Sequence, residues 1–309
     1  MNSFTLRVLN QSEWPAAAEV VCSSVRDWYA AHGKPGRFPG GPESAMLFPE
    51  VYESLDPGCC VVAEDPVNGR LAGACFYHPR DLHVSLGILA VHPDYFSRGV
   101  AKKLLQHVCA LADEQRKPLR LVSSAGNLDS FSLYTRHGFV PRGIYHTMNL
   151  PVGAEGPIRS HPLQPRVRKA RPSDAKKMAE LEFEVSGIRR QKDYEFFIAN
   201  QLGAWNVSVL EHDNALSGFL VSIRHPGSEM LGPGVMCDDN SAAALILAQL
   251  DRFHRGGSPT FLVPASAPSL VRHLYACGAR NSEVHLFQVR GDSQAFRGIS
   301  MPTFMPETG

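Results

Sequence analysis

The chain predicts an α/β fold built twice. Three observations predict it. An apolar strand, Val84–Val91, runs through a proline-containing turn into an amphipathic helix at residues 101–114. A second apolar strand at 119–123 leads into a helical run at 129–136 that ends on His137-Gly138-Phe139. After a stretch rich in proline and glycine, the same succession of strands and helices begins again. A length of 309 residues suits two domains of ordinary size. The repeat and the linker put them at 1–150 and 167–309, joined by 151–166.

Residues 5–9 read as a first strand. Residues 13–32 read as a helix with Ala18, Val21, Val25 and Trp28 on one face. Pro15 falls in its first turn, where proline is tolerated. Residues 33–43 have no regular pattern, and 50–54 suit a short helix. Strands at 59–64 and 71–77 flank a hairpin turn at Asn68-Gly69. The linker carries Pro151, Gly153, Gly156, Pro157, Pro162 and Pro165. In the second half, Val167-Arg168-Lys169 before Ser173-Asp174 echoes Leu6-Arg7-Val8 before Gln11-Ser12. A helix follows at 175–185, then strands at 205–211 and 216–223 that meet at Asp213-Asn214. A strand at 230–236 leads to a helix at 241–254, with Asn240 as its expected N-cap. A strand at 260–263 and a helix at 269–277, ending at Gly278, close the pattern.

Charge is balanced, 31 basic against 30 acidic residues, which argues against nucleic-acid and membrane-surface partners. Seven cysteines without a C-x-x-C pair read as reduced thiols, and Cys109 as a core residue. No apolar run reaches membrane-spanning length and the N-terminus has no signal-like apolar segment. The expected location is cytoplasmic. Histidines are scattered without ligand spacing, so no metal site is expected.

The turn after Val91 carries the chemistry. Phe96-Ser97-Arg98-Gly99-Val100-Ala101 opens a helix whose leading N–H groups have no internal partner. The helix dipole favours an anion there, and Lys102 and Lys103 add charge. Gly99 lets backbone approach a bulky phosphate. The segment reads as a pyrophosphate cradle. Neither G-x-x-x-x-G-K-[ST] nor G-x-G-x-x-G is present, which excludes a P-loop and disfavours a dinucleotide fold.

This segment, with the strand before it, resembles the acetyl-CoA motif of the GNAT acetyltransferase superfamily, [QR]-x-x-G-x-[GA]. The piece Asn127 to Gly143, NLDSFSLYTRHGFVPRG, resembles that family's closing motif. Arg98, Gly99 and Ala101 stand where the motif has them, whereas Phe96 replaces the usual Gln or Arg. The change removes one polar contact and implies weakened cofactor binding. The resemblance covers roughly residues 4–150. Together with the repeated element order and a weaker resemblance of the stretch from LGPGVMCDDN through LFQVRG to a divergent C-terminal GNAT-like domain, it implies two GNAT-like domains, each a mixed, mostly antiparallel twisted sheet flanked by helices. It implies an N-acetyltransferase that moves an acetyl group from acetyl-CoA directly to an amine. Cofactor contacts would come from the backbone of Leu89, Ala90 and Val91 and from Phe96, Ser97, Arg98, Gly99, Val100, Ala101 and Lys102. Tyr134, in LY-x-x-x-GF, would give a proton to the departing thiolate. Asn127 has two readings, a contact to the pantetheine arm or a helix cap.

The base is open. Where some members have a strand glutamate this chain has Ser85. Simple alternation puts His83, Ser85, Gly87 and Leu89 on one face, making His83 or a water chain past Ser85 the candidates; His83 also reads as a solvent-facing loop residue. Trp28, Tyr29 and Phe38 suit either an acceptor pocket or core contacts at a helix end. Arg189-Arg190 reads as a solvated pair or a grip for an acidic ligand. The second half lacks the cofactor motif, carries Asp238-Asp239 at the corresponding turn, and aligns Leu274 with Tyr134. Two carboxylates there would repel phosphates, so the second domain is expected to be degenerate. The acceptor is a small-molecule or peptide amine, and the expected state is a monomer forming an internal pseudo-dimer, or a homodimer. Two other functions stand beside this one: a tandem synthase acylating a small thiol-precursor amine, and a non-catalytic acyl-CoA- or partner-binding protein.

Overall fold

The computed structural model describes residues 4–34, 38–212 and 215–303. The expected turn at Asp213-Asn214 therefore lies outside the described residues, as does part of the 33–43 segment. The described chain forms two compact units. One contains the described part of Met1–Pro79 together with His83–Leu121; the other contains Arg80–Leu82 and Val122–Thr303.

The first unit opens with strand β1 (Thr5–Val8) and helix α1 (Trp14–Ala31), where Pro15 sits in the first turn and Ala18 and Val21 are buried. Short helices α2 (Gly41–Ala45) and α3 (Leu47–Leu55) follow. Next come β2 (Cys60–Glu64), β3 (Leu71–Pro79), β4 (Val84–Val91), α4 (Val100–Glu114) and β5 (Leu119–Ser124). The order β1-β2-β3-β4 is antiparallel throughout, and β5 adds parallel to β4. The chain passes into the second unit within β5.

The second unit contains α5 (Leu128–Arg136), β6 (Val140–Asn149), β7 (Val167–Lys169), α6 (Asp174–Ser186), α7 (Gln191–Ala199), β8 (Trp205–His212), β9 (Ala215–His225) and β10 (Ser228–Met236). It continues with α8 (Asp239–Phe253), β11 (Thr260–Pro264), α9 (Pro268–Ala276), β12 (Arg280–Arg290) and β13 (Ile299–Met301). Here β7-β8-β9-β10 is antiparallel and β11 runs parallel to β10, the same plan as in the first unit. Strand β6 lies between β11 and β12, antiparallel to both. Its residues Tyr145, Thr147 and Met148 are buried. The linker is also ordered against it: Val152 is buried and its N–H donates to the Gly257 carbonyl at 2.9 Å. The contact division at Leu121 thus falls earlier than the composition boundary at 150, because β6 pairs with strands far downstream.

Candidate active site

Helix α4 begins at Gly99, whose φ of 81° and ψ of 8° lie in the left-handed region. A side chain is strained in that conformation, so glycine is required by the backbone. A Cβ placed there would meet nothing within 4 Å, so the space before the helix is open. Gly99 cannot cap the helix with a side chain, and the first turn of α4 carries no acidic residue. The leading N–H groups and the positive end of the dipole are left for an outside anion. Phe96 and Lys102 are exposed beside this opening. Arg98 folds back instead, its guanidinium 4.9 Å from the Tyr95 ring centroid and 5.4 Å from that of Phe4. Lys103 donates to the Phe4 carbonyl.

Strand β4 leads into this cradle and contains a bulge. Between Leu86 and Leu89 it carries one more residue than the partner stretch of β3 between Tyr77 and Cys75. Gly87, Ile88 and Leu89 are half-buried in a strand otherwise buried. The bulge also re-aims side chains. Gly73, paired with Val91, faces Val100 and Leu104 of α4, and Tyr77, paired with Leu86, meets His107 of α4 at 6.5 Å between rings. Leu86 and Val91 therefore share a face although five positions separate them. Alternation fails here: Ser85 and Gly87 face away from α4, and Leu89 is turned to the opposite side. The N–H of Val91 donates to Ser24 Oγ at 3.4 Å, which ties α1 to the end of the strand.

On the face away from α4, His78 of β3 stands opposite Ser85. Its Nδ1 lies 2.7 Å from Asp56 Oδ2, and the two side chains are 2% and 4% exposed. Asp56 closes α3, and the Tyr52 ring meets His78 edge-on at 4.9 Å. The other ring nitrogen, Nε2, lies 3.1 Å from where a Cβ on Gly87 would be. Nearby, burial pushes the Glu53 carboxyl up, against an N–H donated by Gly58. His83 is fully buried, which removes its reading as a solvent-facing residue. Asp56 and His78 come together only in the fold. A histidine-proline step ending an apolar strand and an Asp-Pro-Gly after a helix are visible in the sequence, but nothing in their spacing joins them.

Trp28 stacks on His32 at 4.0 Å and meets Tyr29 edge-on, while Phe38 packs on Phe48. These are contacts at helix ends.

Asn127 and Tyr134 are placed in the second unit. Asn127 caps α5, its Oδ1 accepting from the Ser130 N–H at 3.0 Å. Tyr134 is buried beside Phe139, and the helix closes with Phe139 N–H donating to the Tyr134 carbonyl at 3.2 Å across Gly138. Helix α9 closes identically, Ala279 N–H donating to the Leu274 carbonyl at 3.0 Å across Gly278. The bond pattern puts Leu274 at the place of Tyr134 and Ala267 at that of Asn127, without a hydroxyl or a cap.

Helix α8 corresponds to α4 but is closed by its own acids. Asp238, not Asn240, is the N-cap, accepting from the Ser241 N–H at 2.9 Å and from its hydroxyl at 3.0 Å. A carboxylate two positions earlier completes the capping geometry at the start of the helix. Asp239 Oδ2 accepts from the Leu270 N–H at 3.1 Å. Residues 241–250 of this helix are buried all round. Arg190 is not a solvated residue: it is 3% exposed and paired with the fully buried Glu182. Arg189 is exposed and lies over the Phe183 ring. Among the described residues no group of three or more His, Cys, Asp or Glu is placed to hold a metal ion, and no helix is long and apolar enough to cross a membrane.

The profile of the Acetyltransferase (GNAT) family matches residues 24–139, spanning α1 through the end of α5. Residues 24–139 are thus similar to the GNAT family, and the strand order and glycine-capped α4 lie within that match. In fold the chain is similar to a Pyrococcus horikoshii protein proposed to be an acetyltransferase, at a TM-score of 0.74 and 15% identity, covering 96% of this chain and 92% of that one. It is similar to a GNAT-class N-acetyltransferase from Sphaerobacter thermophilus, at a TM-score of 0.61 and 17% identity over 95% and 97% of the two chains. A tandem GNAT protein from the clavulanic acid biosynthesis pathway aligns at a TM-score of 0.60 and 16% identity over 94% and 100%. In sequence, the protein YqkA of Bacillus subtilis is 35% identical over 72 residues, which are 23% of this chain and 21% of YqkA.

Proposed function

We propose that this chain is a tandem GNAT N-acetyltransferase whose first domain, residues 1–150, binds acetyl-CoA and transfers its acetyl group directly to an amine. The glycine-capped N-terminus of α4, close to the end of β4, carries the reading. The α4 N–H groups and Lys102 suit the pyrophosphate, and the open space before Gly99 admits it. Backbone groups freed at the bulge suit a carbonyl oxygen gaining charge. By the resemblance to the family's closing motif, Tyr134 is the candidate proton donor to the departing thiolate. The second domain, 167–309, is degenerate on this reading, since Asp238 occupies the Ser241 N–H at the start of α8 and Asp239 adds a second carboxylate there that would repel a phosphate. The acceptor is a small-molecule or peptide amine, and the setting is cytoplasmic.

Calorimetric titration of acetyl-CoA into the intact protein and into Gly99→Glu tests this. Binding that the substitution abolishes supports the cradle. Binding that survives it moves the site elsewhere, and no binding to either protein ends the acetyltransferase reading. The exposed Phe96 favours a second reading, an acyl-CoA-binding protein without catalysis. Binding without acetylation across an amine screen would select it.

A further inference from the structure

We propose that Asp56 and His78 are the proton-accepting pair of the transfer site, with His78 Nε2 taking the proton that the acceptor amine must lose. The proposal rests on reading the first unit as the acetyl-CoA site. An alkylammonium has no lone pair and cannot attack a thioester until it is deprotonated. Strand β4, VSLGILAV, offers no carboxylate or imidazole for this. Its neighbour β3 does. His78 stands directly across from Ser85, so their side chains share the face away from α4.

The pair is built for one direction of proton flow. A buried carboxylate 2.7 Å from Nδ1 accepts a hydrogen bond from Nδ1–H, which places the lone pair of the neutral imidazole on Nε2. The same carboxylate compensates the imidazolium once it forms, which an apolar surrounding would not do. Nε2 is directed at Gly87, the position on β4 without a side chain, inside the half-buried bulge. The Ser85 hydroxyl is buried on the same face and makes no hydrogen bond among the described residues. Two proton-handling groups thus lie behind the point where the strand opens.

The step balances. The ammonium gives one proton to Nε2, directly or across one water at the bulge. The freed lone pair forms the N–C bond as the C–S bond breaks. The second nitrogen-bound proton leaves with the thiolate as thiol. Asp56 stays ionised, and His78 returns its proton to solvent.

Nitrogen-15 NMR of the histidine side chains, with His78→Gln giving the assignment, tests the pair without knowledge of the acceptor. At neutral pH His78 is expected as the Nδ1–H form, and Asp56→Asn is expected to disturb that preference. Saturating acetyl-CoA, with binding followed by calorimetry, is expected to shift the Nε2 resonance. An Nε2–H form, or binding without a shift at His78, overturns this proposal and leaves the cofactor reading intact. Absence of binding overturns both. Turnover supplies a second readout. With n-butylamine, a protonated amine, His78→Gln is expected to lose about 10²-fold or more in transfer rate. With hydroxylamine, largely unprotonated at neutral pH, it is expected to stay within a few-fold. An equal loss with both nucleophiles would mean that His78 merely supports the bulge.

Discussion

Arg7 and Arg168 form the same clasp in the two units. Arg7 grips Glu13, six residues on, and Glu64 of the adjacent strand β2, with contacts of 2.7 Å to each. Arg168 grips Asp174, also six residues on, at 2.7 Å, and Glu211 of the adjacent strand β8 at 2.7 Å. Each guanidinium also donates to a nearby carbonyl, that of Val8 or Lys169. Each helix-entry carboxylate accepts a backbone N–H three residues before it, from Asn10 or Arg171. The faint echo between Leu6-Arg7-Val8 and Val167-Arg168-Lys169 is therefore a repeated device that pins the first strand to the first helix.

The clasp predicts an acid-sensitive stability. The hydrogen bond from Arg7 holds the Glu13 carboxyl at about 2, against an ordinary 4.5. At Asp174 burial pulls upward, but the bonds from Arg168 and Arg171 outweigh it and the carboxyl stays low. A folded-state pKa below the unfolded one means that the unfolded chain binds protons first. The stabilisation is then complete above the unfolded value and is lost as pH falls through the folded value. Arg7 and Glu13 side chains are about a quarter exposed, 28% and 25%, so solvent screening cuts the contribution. Arg7→Met is expected to lower stability by about 1 kcal/mol at neutral pH. The difference from the parent should shrink between pH 4.5 and 2. Urea unfolding across that range checks it, and a difference independent of pH would contradict it.

The buried pair Glu182–Arg190 carries a larger prediction. Their side chains are 1% and 3% exposed, with Tyr194 donated to by Arg190 at 3.3 Å. Removing one member leaves an uncompensated buried charge. Arg190→Met is expected to cost about 3–5 kcal/mol, and the double change Glu182→Leu with Arg190→Met to recover much of it. Thermal melts of the single and double variants decide this. A double variant as unstable as the single would show that the pair contributes more than mutual neutralisation.

Much of this was legible in the chain and some was not. The strand Val84–Val91 and the Gly99 turn were readable because apolar runs, a glycine with positive φ and a following amphipathic helix are local signals. So was the alignment of Leu274 with Tyr134, because one glycine closes each helix. Helix α7 escaped notice because Arg190 is no capping residue and its buried residues, Tyr194 and Phe197, are spaced among charges. Arg190 looked solvated because its partner Glu182 lies on a different helix. The bulge could not be read because it is a property of the pairing of β4 with β3 and not of either strand. Without the bulge the faces of β4 are misassigned, and His78 stays hidden as an ordinary strand residue.

Asp238 predicts how firmly the second copy is closed. It satisfies the Ser241 N–H and hydroxyl at the start of the buried helix α8. Asp238→Ala is expected to lower stability by about 1 kcal/mol through the lost cap. It is not expected to create acetyl-CoA binding, because Asp239 still holds the Leu270 N–H and the helix remains enclosed. Calorimetry on the double variant Gly99→Glu with Asp238→Ala isolates the second copy. Binding there would mean that a single carboxylate was all that kept the site shut.

Gly87 ties the strand geometry to the chemistry. A methyl group at this position would lie 2.8 Å from the Phe76 carbonyl oxygen and 3.1 Å from His78 Nε2. The first of these is backbone and cannot rotate away, so the bulge or β3 must move. Overpacking of this kind costs about 1–3 kcal/mol. Gly87→Ala is therefore expected to fold with reduced stability and to displace the His78 ring from the bulge. The cradle at Gly99 lies beyond the end of the strand and makes no use of that methyl's space. Acetyl-CoA affinity should then change by no more than a few-fold, while the transfer rate falls by at least tenfold, since a displacement of about 1 Å can cost 10²-fold in rate. Affinity lost in parallel with rate would place the bulge in cofactor binding, whereas an unchanged rate would remove the β3–β4 face from the reaction altogether.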